Sequence, residues 1–131
     1  PFGIDTASNT TNSLGGRQRA NRIGEGTLSR DQRTLQKFFD TSAFVAPAPY
    51  TFGNSPRNVL RAPGLVNFDF LLSKRFALGE RVSVDFRSEF FNLTNTPPFG
   101  FPGATVGNPQ FGVISSAGNG RIVQFALKLQ F

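Results

Sequence analysis

The chain has no cysteine, histidine, methionine or tryptophan. Without cysteine no disulfide can form, so cysteine usage says nothing about redox compartment. Without cysteine and histidine, the usual zinc, copper, haem and iron–sulfur centres lose their main ligands. Most nucleophile–histidine triads and dyads are excluded with them. Only carboxylate, lysine or serine chemistry stays open, and no cofactor is expected. Charged residues make up only 17% of the chain, the opposite of a disordered composition. No apolar run reaches the length of a membrane-spanning helix, so no helical span is expected. Residue 1 is Pro rather than Met, from which the chain is expected to be processed or a piece of something longer.

What is abundant is phenylalanine: 16 of them against one tyrosine, with 14 glycines and 9 prolines. That balance fits a β-protein with long loops. At 131 residues, the chain has the size of one domain. The net charge is +6, and basic residues gather at Arg17, Arg19, Arg22, Arg30, Arg33 and Lys37. A nucleic-acid surface is one reading of that cluster. A solvated loop or a lumen-facing surface is the plainer one, because no aromatic RNA-binding motif accompanies the run and Glu25 and Asp31 interrupt it.

Residues 1–28 are polar and Gly-rich without a sustained period, and read as an extended arm or loop. Residues 29–131 read as the β-domain. Its first segment, "SRDQRTLQKFFD", carries the one helix signal, over 29–40. Ser29 is a good N-cap and Gln32, three residues on, completes a capping box. Leu35, Phe38 and Phe39 would share one face. Residues 41–65 hold four of the nine prolines and read as a loop, since proline lacks an N–H for any ladder. Phe44, Tyr50 and Phe52 would pin that loop by packing, or offer a flat ligand platform.

From residue 66 the period becomes two. "VNFDFLLSKRF", 66–76, puts Val66, Phe68, Phe70, Leu72 and Phe76 on one face, interrupted by Lys74. "RVSVDFRSEFFNL", 81–93, puts Val82, Val84, Phe86 and Phe90 on one face and Arg81, Ser83, Asp85, Arg87 and Glu89 on the other. Together with the short turn between them these predict a hairpin. "FGVISSA", 111–117, predicts a shorter strand, and "RIVQFALKLQF", 121–131, a terminal one with Val123, Phe125, Leu127, Leu129 and Phe131 alternating. The fold class is therefore mainly β: an antiparallel sheet of about four long strands in two hairpins, one short helix and long irregular arms.

The long strands run about 11 to 13 residues, where ordinary ones average about 5 to 6. A tilted strand crossing a bilayer needs about 9 to 11. One face is apolar and Phe-rich, the other carries both signs of charge, which is what a transmembrane barrel requires. A soluble sheet and an assembled fibre remain open on these residues alone. Asp85 and Glu89, with Asp69 on the neighbouring strand, could be read as carboxylates placed for acid–base work. Interleaved Arg75 and Arg87 favour cross-strand ion pairing instead.

The stretches "FFDTSAFVAPAPYTFGN", "LRAPG", "NFDFLLSKRF" and "FRSEFFNLTNTPPFG", with the closing "FGVI" and "RIVQFALKLQF", resemble the C-terminal barrel part of Oar-like, TonB-dependent outer-membrane receptors. The resemblance covers residues 17–131. Ala62 stands where that family commonly has a second glycine, and Thr94 where it has phenylalanine. The resemblance implies a barrel-derived segment, a bacterial outer-membrane or cell-surface location, contact with lipid, and a terminal strand read by the barrel-insertion machinery. The family's barrel has about 22 strands, and its plug and TonB box have no counterpart in these residues.

Four strands cannot close a barrel, so two edges stay open, and open apolar edges recruit further copies. The expectation is a non-enzymatic, self-assembling structural chain, an oligomer or extracellular filament derived from such a receptor, with copies of itself as partner. The alternatives are the terminal strands of an intact transporter barrel and a small soluble β binding domain. The residues expected to carry assembly and packing are Phe68, Phe70, Phe86, Phe90, Phe125, Leu127, Leu129 and Phe131. Neighbouring copies would pin the 1–28 arm. Deleting residues 1–28 is then expected to weaken assembly in detergent-free buffer. Sedimentation of the truncated chain checks this, and unchanged polymers would remove the pinned arm from consideration.

Overall fold

A computed structural model of the chain describes residues 1–7, 9–11 and 18–131. Arg17 and most of the glycine-rich run before it lie outside the described residues. The strands are β1 (Asp5–Thr6), β2 (Gln18–Arg19), β3 (Asn21–Arg22), β4 (Phe44–Val45), β5 (Phe70–Ala77), β6 (Ser83–Phe91), β7 (Thr105–Val106) and β8 (Ile122–Gln130). Two single turns of 3-10 helix, Arg30–Gln32 and Thr41–Ala43, accompany them. The fold is mainly β. It divides into two compact units, Pro1–Pro63 with Phe99–Ser116, and Gly64–Pro98 with Ala117–Phe131.

The first unit is knitted from two-residue pairings. β1 lies antiparallel to β2 and parallel to β7, and β3 lies antiparallel to β4. Its core is Ile4, Ala20, Phe39, Ala43, Phe44 and Leu60, all buried. Phe39 is the hub. Its ring centre lies 5.9 Å from Phe2, 6.0 Å from Phe44 and 5.3 Å from Phe111. The last two contacts are edge-on, the arrangement the ring quadrupole favours. Gly53 lets this unit close. A Cβ there would stand 2.0 Å from the Arg19 carbonyl oxygen, so no other residue fits.

Three expectations are corrected in this unit. The described residues of the 1–28 segment are not a free arm: Ile4 and Ala20 sit in the core, and the Thr10 hydroxyl donates to the Thr51 carbonyl at 3.1 Å. Its contacts lie within the chain itself. The 29–40 helix is a single turn. Gln32 Oε1 does accept the Ser29 N–H at 3.4 Å, but the chain turns extended at Arg33. The backbone groups a helix would pair internally go elsewhere. The Phe38 N–H donates to the Gly112 carbonyl at 2.9 Å, and the Leu35 carbonyl accepts the Ile114 N–H at 2.8 Å. Thr34 also draws the Lys37 N–H onto its hydroxyl at 3.0 Å, a local bond that competes with helix.

The 111–117 strand is the third. Phe111 and Val113 donate back to the Asn108 and Gln110 carbonyls at 2.9 and 3.0 Å, in successive turns. Gly112 between them has φ +82°, which an extended strand cannot use. Phe111 spends its ring on Phe39 rather than on a sheet face. Of the loop aromatics, Phe44 is buried, while Tyr50 and Phe52 stand exposed.

The second unit is one antiparallel sheet in the order β5-β6-β8. β8 pairs with β6, not with the 111–117 segment, so the sheet has three long strands rather than four in two hairpins. Asn92 ends β6. It turns to φ +51°, donates its N–H to Asp69 Oδ1 at 2.8 Å and accepts the Thr96 N–H at 3.0 Å. At the other end Leu78 donates to the Val82 carbonyl at 2.9 Å and closes the short β5–β6 turn.

Phe39→Ala is expected to destabilise the first unit by about 3–5 kcal/mol, the usual cost of emptying a buried aromatic site. Hydrogen exchange at the Ala20 and Ser55 amides, both bonded within that unit, reads the change. Protection at those amides equal to the parent chain would show that the hub is not Phe39.

Candidate functional site

Side chains alternate across a strand, so residues paired directly opposite share a face. The register of β6 with both neighbours therefore fixes each face. Phe70, Phe90 and Val123 form one row, and Leu72, Ser88 and Phe125 the next. Lys74, Phe86 and Leu127 follow, then Phe76, Val84 and Leu129. Apart from Lys74 and Ser88 this face is wholly apolar. Its rings touch one another across strands: Phe70 lies 6.0 Å from Phe90, and Phe125 lies 6.3 Å from Phe86 and 6.4 Å from Phe90.

The opposite face carries Ser73, Arg75, Ser83, Asp85, Arg87, Glu89, Gln124, Lys128 and Gln130, with Leu71, Ala77, Ala126 and, at one end, the Phe91–Ile122 pair among them. Arg75 holds Asp85 with two parallel bonds, Nε to Oδ1 at 2.5 Å and Nη2 to Oδ2 at 2.9 Å. Arg87 pairs with Glu89 along the same strand, and Lys128 stands directly opposite Asp85. Both carboxylates of β6 are thus committed to guanidinium groups. The Arg75–Asp85 pair ties β5 to β6, and the Arg87–Glu89 pair lies within β6. Among the described residues no cluster of histidine, cysteine or acid side chains is placed to hold a metal ion. No helix there is long and apolar enough to cross a membrane.

The residues singled out for packing separate into groups. Phe70, Phe86, Phe90, Phe125, Leu127 and Leu129 come together on the apolar face. Phe68 precedes β5, where its carbonyl accepts the Leu93 N–H at 2.8 Å, and Phe131 follows β8. Leu72, Phe76, Val84 and Val123 complete the face. The period-two pattern marks them as well, because each falls in phase with the phenylalanines.

This face is not buried by the chain. Leu127 is 73% exposed and Phe125 68%. A soluble monomer rarely shows so large a contiguous apolar patch. Burial of each such ring is worth about 1.5–3 kcal/mol, so the face has a strong drive to leave water. A sheet that is ion-paired on one side and apolar on the other is a partition between water and hydrocarbon, the wall element of a membrane β-barrel. The chain belongs to the family described as the outer membrane beta barrel domain, whose profile matches residues 1–124. That membership places it in the bacterial outer membrane. No curated protein and no solved structure matches it.

The pairing is directly testable in a chain free of natural cysteine. Ser88→Cys with Phe125→Cys joins residues that face each other, about 4.5–5.5 Å apart at Cα, within disulfide reach. Mild oxidation is expected to crosslink that pair. Non-reducing peptide mass mapping reads the outcome, and absence of the crosslink would overturn the β6–β8 register.

Proposed function

We propose that the chain forms part of the wall of an outer-membrane transporter barrel of the Oar-like, TonB-dependent kind. The apolar face meets lipid, and the ion-paired face meets the aqueous lumen. The observation that carries this reading is the register itself, which sorts apolar and charged residues onto opposite faces through three adjacent strands. Strand lengths of 8, 9 and 9 residues are close to the roughly 9–11 of a tilted bilayer-crossing strand. The β5–β6 turn is short, and the connection from β6 to β8 is long and leaves by the opposite end. Short turns face the periplasm in such barrels and long loops face outward. The role is structural and non-enzymatic. Its partners are lipid, the adjoining strands of the barrel, and the insertion machinery that reads aromatic-rich terminal strands.

A second reading rests on one specific observation. β5 and β8 are the outer strands of their sheet, so each offers one unpaired edge among the described residues. Copies of the chain could add there and build an oligomer or filament in which apolar faces cover each other.

Leu127→Arg and Gln124→Arg separate the two faces. In the barrel reading the first is expected to cost about 2–4 kcal/mol of stability in lipid vesicles. The second falls on the ion-paired face opposite Glu89 and is expected to stay within about 0.5 kcal/mol. Denaturant titration of the vesicle-inserted protein reads both. Equal costs would end the barrel assignment, and regular polymers in detergent-free buffer would favour the assembling chain.

A further inference from the structure

The first unit carries a feature unrelated to the sheet. A cavity of about 290 Å³ opens beside its core, near the lower end of small-ligand sites. Its floor is Phe38, Phe39 and Leu60, with Leu28 at the side, and Arg33 and Arg61 stand in its lining. Phe39 and Leu60 are core residues, 2% and 5% exposed, that also contribute to the cavity lining. Their positions are set by the aromatic hub and by the exchange of backbone bonds between Phe2 and Leu60 at 2.9 and 3.2 Å. The floor is therefore as rigid as the unit itself.

The two guanidinium groups differ in how they are held. Arg33 lies over the Phe38 ring, 5.4 Å from its centre, and its Nε donates to the Leu28 carbonyl at 2.8 Å. That contact fixes the plane of the fork and leaves its Nη amines for another acceptor. Arg61 makes no hydrogen bond or ion pair among the described residues. No carboxylate lines the cavity, and nearby acids have partners of their own. Asp40 accepts from the Ser42 hydroxyl at 2.7 Å, and Glu25 pairs with Arg22 at 3.5 Å. Asp31 is hydrogen-bonded by Ser29, which holds its carboxyl below the usual range.

Two cations, no internal counter-charge and an aromatic floor define a recognition chemistry. A planar carboxylate matches the guanidinium fork, and an apolar body matches the floor. We propose that this cavity binds a small monocarboxylate with an aromatic or aliphatic body, its carboxylate held by Arg61 and Arg33 and its body resting on Phe38, Phe39 and Leu60. The site holds whether the sheet is a barrel wall or an assembly surface, because its lining comes from the first unit alone.

The test uses the whole chain folded in micelles and ligand-observed NMR titration with three probes. These are 4-phenylbutanoate, the uncharged 4-phenylbutan-1-ol, and inorganic phosphate. Saturable binding of 4-phenylbutanoate is expected, weakened about tenfold or more for the alcohol and in Arg61→Gln, as loss of a charge-assisted bond entails. Phosphate, with charge but no apolar body, is expected to show no saturation over the same range. Among the described residues Arg61 bonds to nothing else, so Arg61→Gln should keep the parent melting temperature, and Arg33→Gln gives an independent second variant. The proposal is overturned if 4-phenylbutanoate does not saturate, if the alcohol or phosphate binds equally well, or if both arginine variants bind like the parent.

Discussion

Everything the second unit does depends on the register of β6. It is the central strand, and its pairing with β5 and β8 decides which side chains share a face. A slip of one residue on either side would carry that neighbour's apolar set to the opposite face. Phe125 would then stand among Arg87 and Glu89, and Lys128 among the rings. The register is held from both faces at once. The Arg75–Asp85 fork closes one side, and the contacts of Phe125 with Phe86 and Phe90 close the other. Charge complementarity sets β5 against β6, and aromatic packing sets β8 against β6.

The first unit solves a different problem with the same residue type. Its described residues form no long strand and no helix beyond a single turn, so regular backbone ladders contribute little. Phenylalanine instead meets phenylalanine around one centre, and glycine lets backbones approach where a side chain would collide. Proline suits this arrangement. It removes donors that an irregular interior would otherwise have to satisfy. The abundance of Phe, Gly and Pro is therefore not one signal but two, one for each unit.

Much of the sheet was legible in the sequence, because alternation over eight or more residues has no competing explanation. The strands near 66–76, 81–93 and 121–131 correspond to β5, β6 and β8, trimmed at their ends by Asp69 and Asn92 bonds that alternation does not encode. The rest was hidden for physical reasons. Ser29 and Gln32 carry a helix-starting signal, but a cap contributes only about 1 kcal/mol. Backbone bonds from 111–114 outweigh it. Phe111 looked like a strand residue because its neighbours alternate, and the demand of Phe39 for a ring decided otherwise. The pairings of β1, β2 and β7 are too short for any period to show. The cavity arginines, at 33 and 61, are distant in sequence and become neighbours only once the core forms.

Lys74 is the one charge on the apolar face, one row from the short-turn end of the sheet. In a bilayer its ammonium has to reach water while its methylene stem stays among hydrocarbon. Ala77, at the end of β5, lies three residues on, about 10 Å at the usual rise per residue. With that face on lipid, as proposed, the hydrocarbon boundary falls close to the level of Phe76 and Leu129. Lys74 works as a depth mark: it limits how far the wall can sink into the membrane, while the rings of Phe70, Phe90 and Phe125 limit how far it can rise.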